Sequence, residues 1–506
     1  MSSQTLPESK PANRPVENAP SALAAEEPSF ARFVGLVGLL MVSMGVALIF
    51  MTAIAGPRIL SVGWGYTAVA LGIVFMLYLA LRDGDIQVRR AFGVLGFSLL
   101  GLKMAFTLFK TSNFLSYGWA TSLAGMCFLL CFSKHETDPV WRKRILYTLG
   151  GVGAAMTAIG LVGGIVADNF LLTYGLLFSF LGLIFLCAFI SQSDPMSDTG
   201  YRTGLAIGAV AAFVVLYAIF RSAVPALLKL QVAPFFVPNG LLLMFVGVLY
   251  GAVSLAIVSD NRLVVLTRRE LTGYFYSPVA YIVMLGMALL GALAYFFFIN
   301  FIARGSIRVE PIVLRFFQDL PPFVVMFVVP AITMRLLAEE KRTGTYEVLM
   351  CAPVKETTVV LSKFFACLIF FMLLWGIWAL YLIALRVEGG KEFDYRPLLS
   401  FYLALAFCGS GFISMGIFFS SLSQNQIIAA VLTFIGMLVI MILGFLQNFE
   451  GVAPIWRVVF KNLSYSEVWE ASLKGRLMVR EMILQGSFTV FWLFLTVKVL
   501  EARRWS

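Results

Sequence analysis

The feature that most limits what this chain can fold into is a succession of apolar runs, each about as long as a lipid bilayer is thick. A helix rises about 1.5 Å per residue, so about 20 apolar residues cross the ~30 Å hydrocarbon layer. Such runs occupy residues 33–54, 60–81, 91–109, 115–132, 145–166, 170–190, 203–223 and 238–258. A polar break follows at Ser259-Asp260-Asn261-Arg262, and further runs occupy 277–302, 320–337, 363–385, 399–421, 427–447 and 482–499. In hydrocarbon every backbone N–H and C=O must be bonded within the chain, which a helix achieves segment by segment. The expectation is an all-α polytopic integral membrane protein with about fourteen transmembrane helices, arranged 8 + 6. With 60% hydrophobic and 13% charged residues, a water-soluble globule is excluded.

The first 31 residues are rich in Pro, Glu, Ser and Ala and read as a disordered cytoplasmic tail. Residues 33–54 are too long for a secretory signal and lack a small-residue cleavage pattern, so they read as a retained first span. If the N-terminus is inside, Lys10, Arg14, Arg32, Arg82, Arg89, Arg90, Lys134, Arg142, Lys143, Arg144, Arg202, Arg262, Arg268 and Arg269 lie inside. Only Arg58, Lys110, Arg221 and Lys229 then lie outside in that half, a clear positive-inside bias. The second half is less polarised, and both termini are expected in the cytoplasm. The chain thus divides into a tail (1–31), an eight-span domain of unassigned role (32–258) and a six-span domain (259–506) of a multi-pass protein in the cell inner, or plasma, membrane.

The net charge of +11 sits in short basic clusters between apolar runs, which suits membrane orientation and not nucleic acid. The six cysteines include no CxxC pair and His135 is the single histidine, so a zinc site, a disulfide framework and histidine catalysis are disfavoured. Cys127 and Cys131 share a helical face as small apolar packing residues. No GxxxxGK[ST] occurs, so the chain has no P-loop of its own, and the Gly-rich stretches 150–155 and 160–164 read as close helix packing. No catalytic, metal or cofactor residue is assigned. Every Asp and Glu falls outside the apolar runs and only Lys103 lies well inside one, either snorkelling or touching substrate; this argues against ion coupling through an intramembrane carboxylate.

The second half carries the informative motifs. On a helical wheel from Arg262 to Phe275, Leu263, Val264, Leu271, Tyr274 and Phe275 share one arc opposite Arg262 and Arg269, the pattern of an interfacial helix. Pro278 then opens the next span. From Met334-Arg335 the chain leaves the membrane through Glu339-Glu340-Lys341-Arg342, reaches Gly344 at a helix C-terminal position, restarts at Thr345 and stops at Pro353. This predicts two short helices at a bend, with solvent-facing charges held against the membrane by Leu336, Leu337, Leu349 and Met350.

These residues together carry a resemblance. Arg268-Arg269-Glu270-Leu271, Tyr274-Phe275, Ser277-Pro278-Val279-Ala280-Tyr281, the 334–353 block with Gly344-Thr345-Tyr346-Glu347, Lys363 and Leu500-Glu501-Ala502-Arg503-Arg504-Trp505 resemble ABC-2 type transporter permeases of the gliding-motility (GldF-like) subfamily. The resemblance spans about 262–506 and leaves 33–258 unrecognised. It implies a six-span permease that pairs with a second permease subunit, as homo- or hetero-dimer, and with separate ABC-type ATPase subunits. It further implies that Glu339, Glu340, Gly344, Thr345, Glu347 and Pro353 form the ATPase-coupling segment, and that Arg262, Arg268, Arg269, Glu270, Tyr274 and Phe275 belong to the interfacial helix cradling it. Residues 448–485, with Trp456, Tyr465, Trp469 and Gly475, resemble the family's partly re-entrant region before the last span; their aromatic rings equally suit interface anchors.

Three functions remain open at this level. The leading one is the permease of an ATP-driven ABC transporter, an exporter by family resemblance and not itself an enzyme. The second is a non-transporting membrane subunit of an ATPase-driven mechanical assembly. The third is a lipid-linked glycosyl transferase using Asp83/Asp85, Glu136/Asp138 or Asp194/Asp198.

Overall fold

The computed structural model describes residues 27–55, 62–83, 85–109, 118–136, 138–166, 170–193, 198–227, 235, 239–303, 312–318, 320–345, 354–387, 396–446 and 453–504. Within them the secondary structure is helical, and the chain is an all-α polytopic membrane protein. It divides into two compact units, Met1–Ser254 and Leu255–Ser506, with the division four residues before the polar break expected from the sequence.

The first unit contains α1 (Glu27–Ala55), α2 (Val62–Arg82), α3 (Ile86–Phe109), α4 (Trp119–His135), α5 (Pro139–Val166), α6 (Leu176–Gln192), α7 (Thr199–Leu227) and α8 (Leu241–Val258), which runs past the division. Eight helices therefore stand where eight apolar runs were read. One correction concerns the tail: residues 27–31 belong to α1, because Pro28 fits the first helical turn, where its missing N–H leaves no bond unmade. The rest of the tail lies outside the described residues. The glycine-rich stretch of α5 does pack helices. A Cβ on Gly160 would stand 2.5 Å from the Ser179 hydroxyl and 2.8 Å from the Gly175 carbonyl, so the α6 backbone approaches where only glycine fits. Tyr250 on α8 ties the same region together, donating to the Ser179 carbonyl at 2.7 Å and meeting the Thr157 hydroxyl at 3.1 Å.

The second unit continues with α9 (Arg262–Tyr276), α10 (Pro278–Ala303), α11 (Ile312–Gln318), α12 (Pro321–Thr333), α13 (Ala338–Thr343), α14 (Glu356–Val387), α15 (Arg396–Leu422), α16 (Gln426–Leu446), α17 (Pro454–Leu463), α18 (Tyr465–Leu473) and α19 (Val479–Arg504). Its core is aromatic: Phe317, Trp375, Trp378, Phe401 and Trp469 are buried together, and the Trp469 indole donates to the Phe317 carbonyl at 2.9 Å. Tyr465 and Trp469 are thus core residues and not interface anchors, since the indole N–H finds a carbonyl inside the fold and has no need of headgroups. Trp456 on α17 is exposed.

Among the described residues, 11 helices are long and apolar enough to cross a membrane, and two shorter apolar helices cover 119–134 and 176–192. Several begin one or two turns earlier than hydropathy suggests: α5 at Pro139, not 145, and α14 at Glu356, not 363. Charged residues in a first helical turn lower the local hydropathy without interrupting the helix, because their long side chains reach past the apolar layer. α12 and α13, separated by the 334–337 turn, together make up the candidate span Pro321–Thr343. Its last six residues, Ala-Glu-Glu-Lys-Arg-Thr, are too charged to favour hydrocarbon.

The α5–α6 contact generates a test. Gly160→Val should lower the thermal unfolding midpoint in detergent by the equivalent of about 1–3 kcal/mol, the usual range for overpacking. Gly151→Ala, where an added Cβ meets nothing within 4 Å, should leave the midpoint unchanged or raise it slightly.

Candidate functional site

The site grows from α9. Asn261 caps this helix, its side-chain oxygen accepting from the Leu263 amide at 3.0 Å. Half-buried residues recur at Leu263, Thr267, Glu270, Leu271 and Tyr274, one face at helical spacing, while Arg262, Arg268 and Arg269 are exposed opposite. The apolar arc expected at the membrane interface is covered by α14: the Tyr274 ring stacks on Phe370 at 4.7 Å and Phe275 meets the same ring edge-on at 6.0 Å. The Tyr274 hydroxyl donates to the Ile332 carbonyl at 3.0 Å, which joins α9 to the end of α12.

Lys363 lies two turns inside α14 and is only 1% exposed. A buried ammonium is costly without a counter-charge. Two carboxylates supply it from separate elements: Glu270 of α9 at 2.9 Å and Glu340 of α13 at 2.5 Å. Lys363 was legible only as one position of the family resemblance, at the edge of an apolar run; its role as the centre of the cluster depends on residues 93 and 23 positions away. One ammonium cannot neutralise two carboxylates. Burial pushes the Glu270 carboxyl up, but Lys363 and Arg269 outweigh it and hold the group below its ordinary value. At Glu340 burial prevails, with the Glu270 charge adding to it, and the carboxyl is pushed up despite Lys363. Its second oxygen, Oε2, is buried without a hydrogen-bond partner.

Glu339 is clasped by Arg335, whose Nε and Nη2 donate to Oε2 at 2.6 Å and Oε1 at 2.9 Å, while Nη1 donates to the Ser277 hydroxyl at 2.5 Å. This corrects the expectation that Glu339 and Glu340 are free solvent-facing charges. Glu340 is turned inward to Lys363, and Glu339, about a third exposed, is already paired within the chain. The bend itself is as expected: Gly344 ends α13 with φ 73°, a left-handed conformation that a side chain disfavours. The Thr345 hydroxyl lies 2.9 Å from that of Thr343. Glu347 and Pro353 lie outside the described residues. A cavity of about 370 Å³ opens between α9, α10, α12, α13 and α14, with Glu270, Arg335, Glu339, Glu340 and Lys363 as its polar lining and Val279, Val283, Ile332 and Phe370 as its apolar walls.

The carboxylate pairs of the first unit have structural partners. Asp83 binds Arg32 at 2.9 Å and Asp85 binds it at 3.4 Å; Glu136 and Asp138 accept backbone amides, and Asp198 faces Arg202 at 3.5 Å. Asp194 and the Lys103 side chain lie outside the described residues. Among the described residues, no three His, Cys, Asp or Glu side chains are grouped to hold a metal ion.

Residues 315–497 match the family model described as ABC-2 family transporter protein, from within α11 to near the end of α19. The match supports a membrane permease domain of an ABC transporter and includes α13, α14 and α15; α9 and α10 precede it. Searches of curated proteins and of solved structures find no match.

Two outcomes follow for the cluster. Lys363→Ala leaves two carboxylates facing each other and should cost about 3–5 kcal/mol of stability, the usual loss when a buried pair is broken; Glu339→Gln, at a partly exposed pair, should cost about 1 kcal/mol or less. Thermal unfolding in detergent measures both. Protonation gives the second outcome. A carboxyl raised on folding favours its protonated form in the native state, so stability falls as pH rises through the raised value; Glu270, lowered, contributes stability that is lost on acidification through its own value. Unfolding midpoints followed upward from the ordinary carboxylate range should therefore decline in the native protein and stay flat in Glu340→Gln.

Proposed function

We propose that the chain is the transmembrane permease subunit of an ATP-driven ABC exporter in the cell inner membrane, energised by a separate ATPase subunit and paired with a second permease. Both termini lie in the cytoplasm, in keeping with the positive-inside bias of the first half. The observation that carries this reading is α13. It is a short charged helix, bounded by the 334–337 turn and by Gly344, within a stretch that matches the ABC-2 family, and it is joined by side-chain bonds to α14 and α15, with α9 reached through the shared Lys363. A displaced α13 therefore pulls on several elements at once, as coupling between an external motor and a bilayer-embedded path requires. The motifs outside the matched stretch, in α9 and at the C-terminal end, favour the gliding-motility (GldF-like) branch within this reading. The chain has no P-loop, so in this reading ATP is hydrolysed by the separate subunit.

The test is association and turnover. The purified chain should neither bind nor hydrolyse ATP, and turnover in a preparation free of other subunits overturns the reading. Glu339→Lys should weaken pull-down of the partner ATPase on the order of tenfold or more, because like charges across an interface cost several kcal/mol. Glu136→Lys, in the α4–α5 connection, serves as control. Gly344→Val should preserve association and lose ATP-driven transport, since a β-branched residue at φ 73° displaces the chain that follows without removing charge. If Glu339→Lys retains the ATPase as well as the control does, α13 is not the docking element.

A further inference from the structure

Ser420 sits near the end of α15 and is fully buried. Its hydroxyl accepts from the amides of Leu337 and Ala338, each at 3.1 Å, and donates to the Met334 carbonyl at 3.1 Å. One donor and two lone pairs are the whole capacity of a hydroxyl, so this group is fully used. The amides it receives are at the start of α13, where a helix has no partners of its own for its N–H groups. The residue in the capping position, Leu337, has no side-chain oxygen to offer. Ser420 therefore performs the cap from another helix, more than 80 residues along the chain. The Lys341 ammonium donates to the Ser421 carbonyl beside it, fastening the other end of α13 to the last turn of α15. Gly416, one turn before Ser420, makes the approach possible: a Cβ there would lie 2.4 Å from the Thr333 hydroxyl.

At the opposite end of α15 a second buried serine faces a short helix, here with its one proton shared among three carbonyls. The Ser400 hydroxyl lies 2.7 Å from the Ser472 carbonyl, in the closing turn of α18, and 3.1 and 3.0 Å from the carbonyls of Arg396 and Pro397 in its own helix. The Ser472 carbonyl also accepts from the Gly475 amide at 3.0 Å, so the Ser400 hydroxyl is a second donor to it. Ser400 and Ser420 are separated by about 30 Å along the helix axis, the thickness of the hydrocarbon layer. Between them α15 is the most enclosed of the described spans. The covalent routes out of α13 are the 334–337 turn on one side and the left-handed Gly344 on the other.

We infer that α15 is the rod that carries displacement of α13 across the membrane, with Ser420 and Ser400 as positioning residues at its two joints. The inference rests on the reading of α13 as the ATPase contact and adds the path by which that contact reaches the far side. A stiff helix hydrogen-bonded to a short helix at each end moves both when it moves.

The experiment uses the full chain in nanodiscs, alone and with its ATPase, and reads amide hydrogen exchange. In the chain alone, Ser420→Ala should speed exchange at Leu337 and Ala338 about tenfold, the loss of one net hydrogen bond, and Ser420→Thr should restore protection. In the complex, ATP should change exchange in α18 of the native protein; Ser420→Ala and Ser400→Ala should each abolish that change while the ATPase stays bound, and Ser400→Ala should leave Leu337 and Ala338 protected. If Ser420→Ala does not insert stably, Ser420→Cys, which keeps the volume and accepts only weakly, gives the same readouts. Unaltered exchange at Leu337 and Ala338 in Ser420→Ala overturns the cap. An ATP response of α18 that survives Ser420→Ala overturns the rod and leaves the ATPase reading standing. A native chain that binds no ATPase overturns the functional reading, and the rod as a coupling path with it.

Discussion

A lysine buried inside a spanning helix dictates what may surround it. Lys363 cannot stand ionised in the fold without counter-charge, and the counter-charges come from elements outside its own helix, Glu270 of α9 and Glu340 of α13. That requirement fixes the two non-spanning helices against α14. Tyr274, one turn beyond Glu270, then meets Phe370 and the Ile332 carbonyl, so the ion pair and the aromatic stack set the position of α9 together. The same charges account for α13, which has six residues and cannot persist as an isolated helix. It is held by bonds to neighbours: Lys363 at Glu340, Ser420 at its first amides and the Ser421 carbonyl at Lys341.

The two units differ in emphasis. In the first, small residues such as Gly160 bring helix backbones together beside a core that includes Phe132, Phe178 and Phe185. In the second, an aromatic core around Trp375, Trp378 and Phe401 is joined by polar contacts at both ends of the spans. Packing by small residues favours a single fixed arrangement. Directional bonds at helix ends, each worth about 1 kcal/mol net, can be exchanged one for another without disturbing the apolar interior.

Apolar run length placed the helices, because burial of about 20 residues in lipid is a local property that each segment satisfies alone. The stop at Gly344 was legible for the same reason: it depends on one residue and its immediate neighbours. Helix starts were less legible. Glu356 and Pro139 open helices that hydropathy began later, since charge in a first turn resembles loop. The charge cluster at 339–342 was visible as a cluster, but whether Glu340 faces solvent or Lys363 is decided by α14, 23 residues on. Ser420 carried no signal in the sequence, because a serine in an apolar helix that bonds its own backbone looks the same as one that caps a distant helix. Tyr465 and Trp469 show the converse: aromatic residues between spans suit an interface, and only the Phe317 carbonyl reveals that the indole is satisfied inside.

The two carboxylates around Lys363 are unequally supported. Glu270 also pairs with Arg269 at 3.1 Å and is held below its ordinary value, whereas at Glu340 burial prevails. The Glu340 contact is therefore the weaker of the two despite its short distance, because its carboxylate competes with Glu270 for one cation and leaves an oxygen without a donor. Weakness at this point is selective. If the Glu340 contact loosens, α9 stays bound to α14 through Glu270 and Tyr274, and α13 stays bound to α15 through Ser420 and Lys341. The bonds that remain then keep α13 with α15 and α9 with α14.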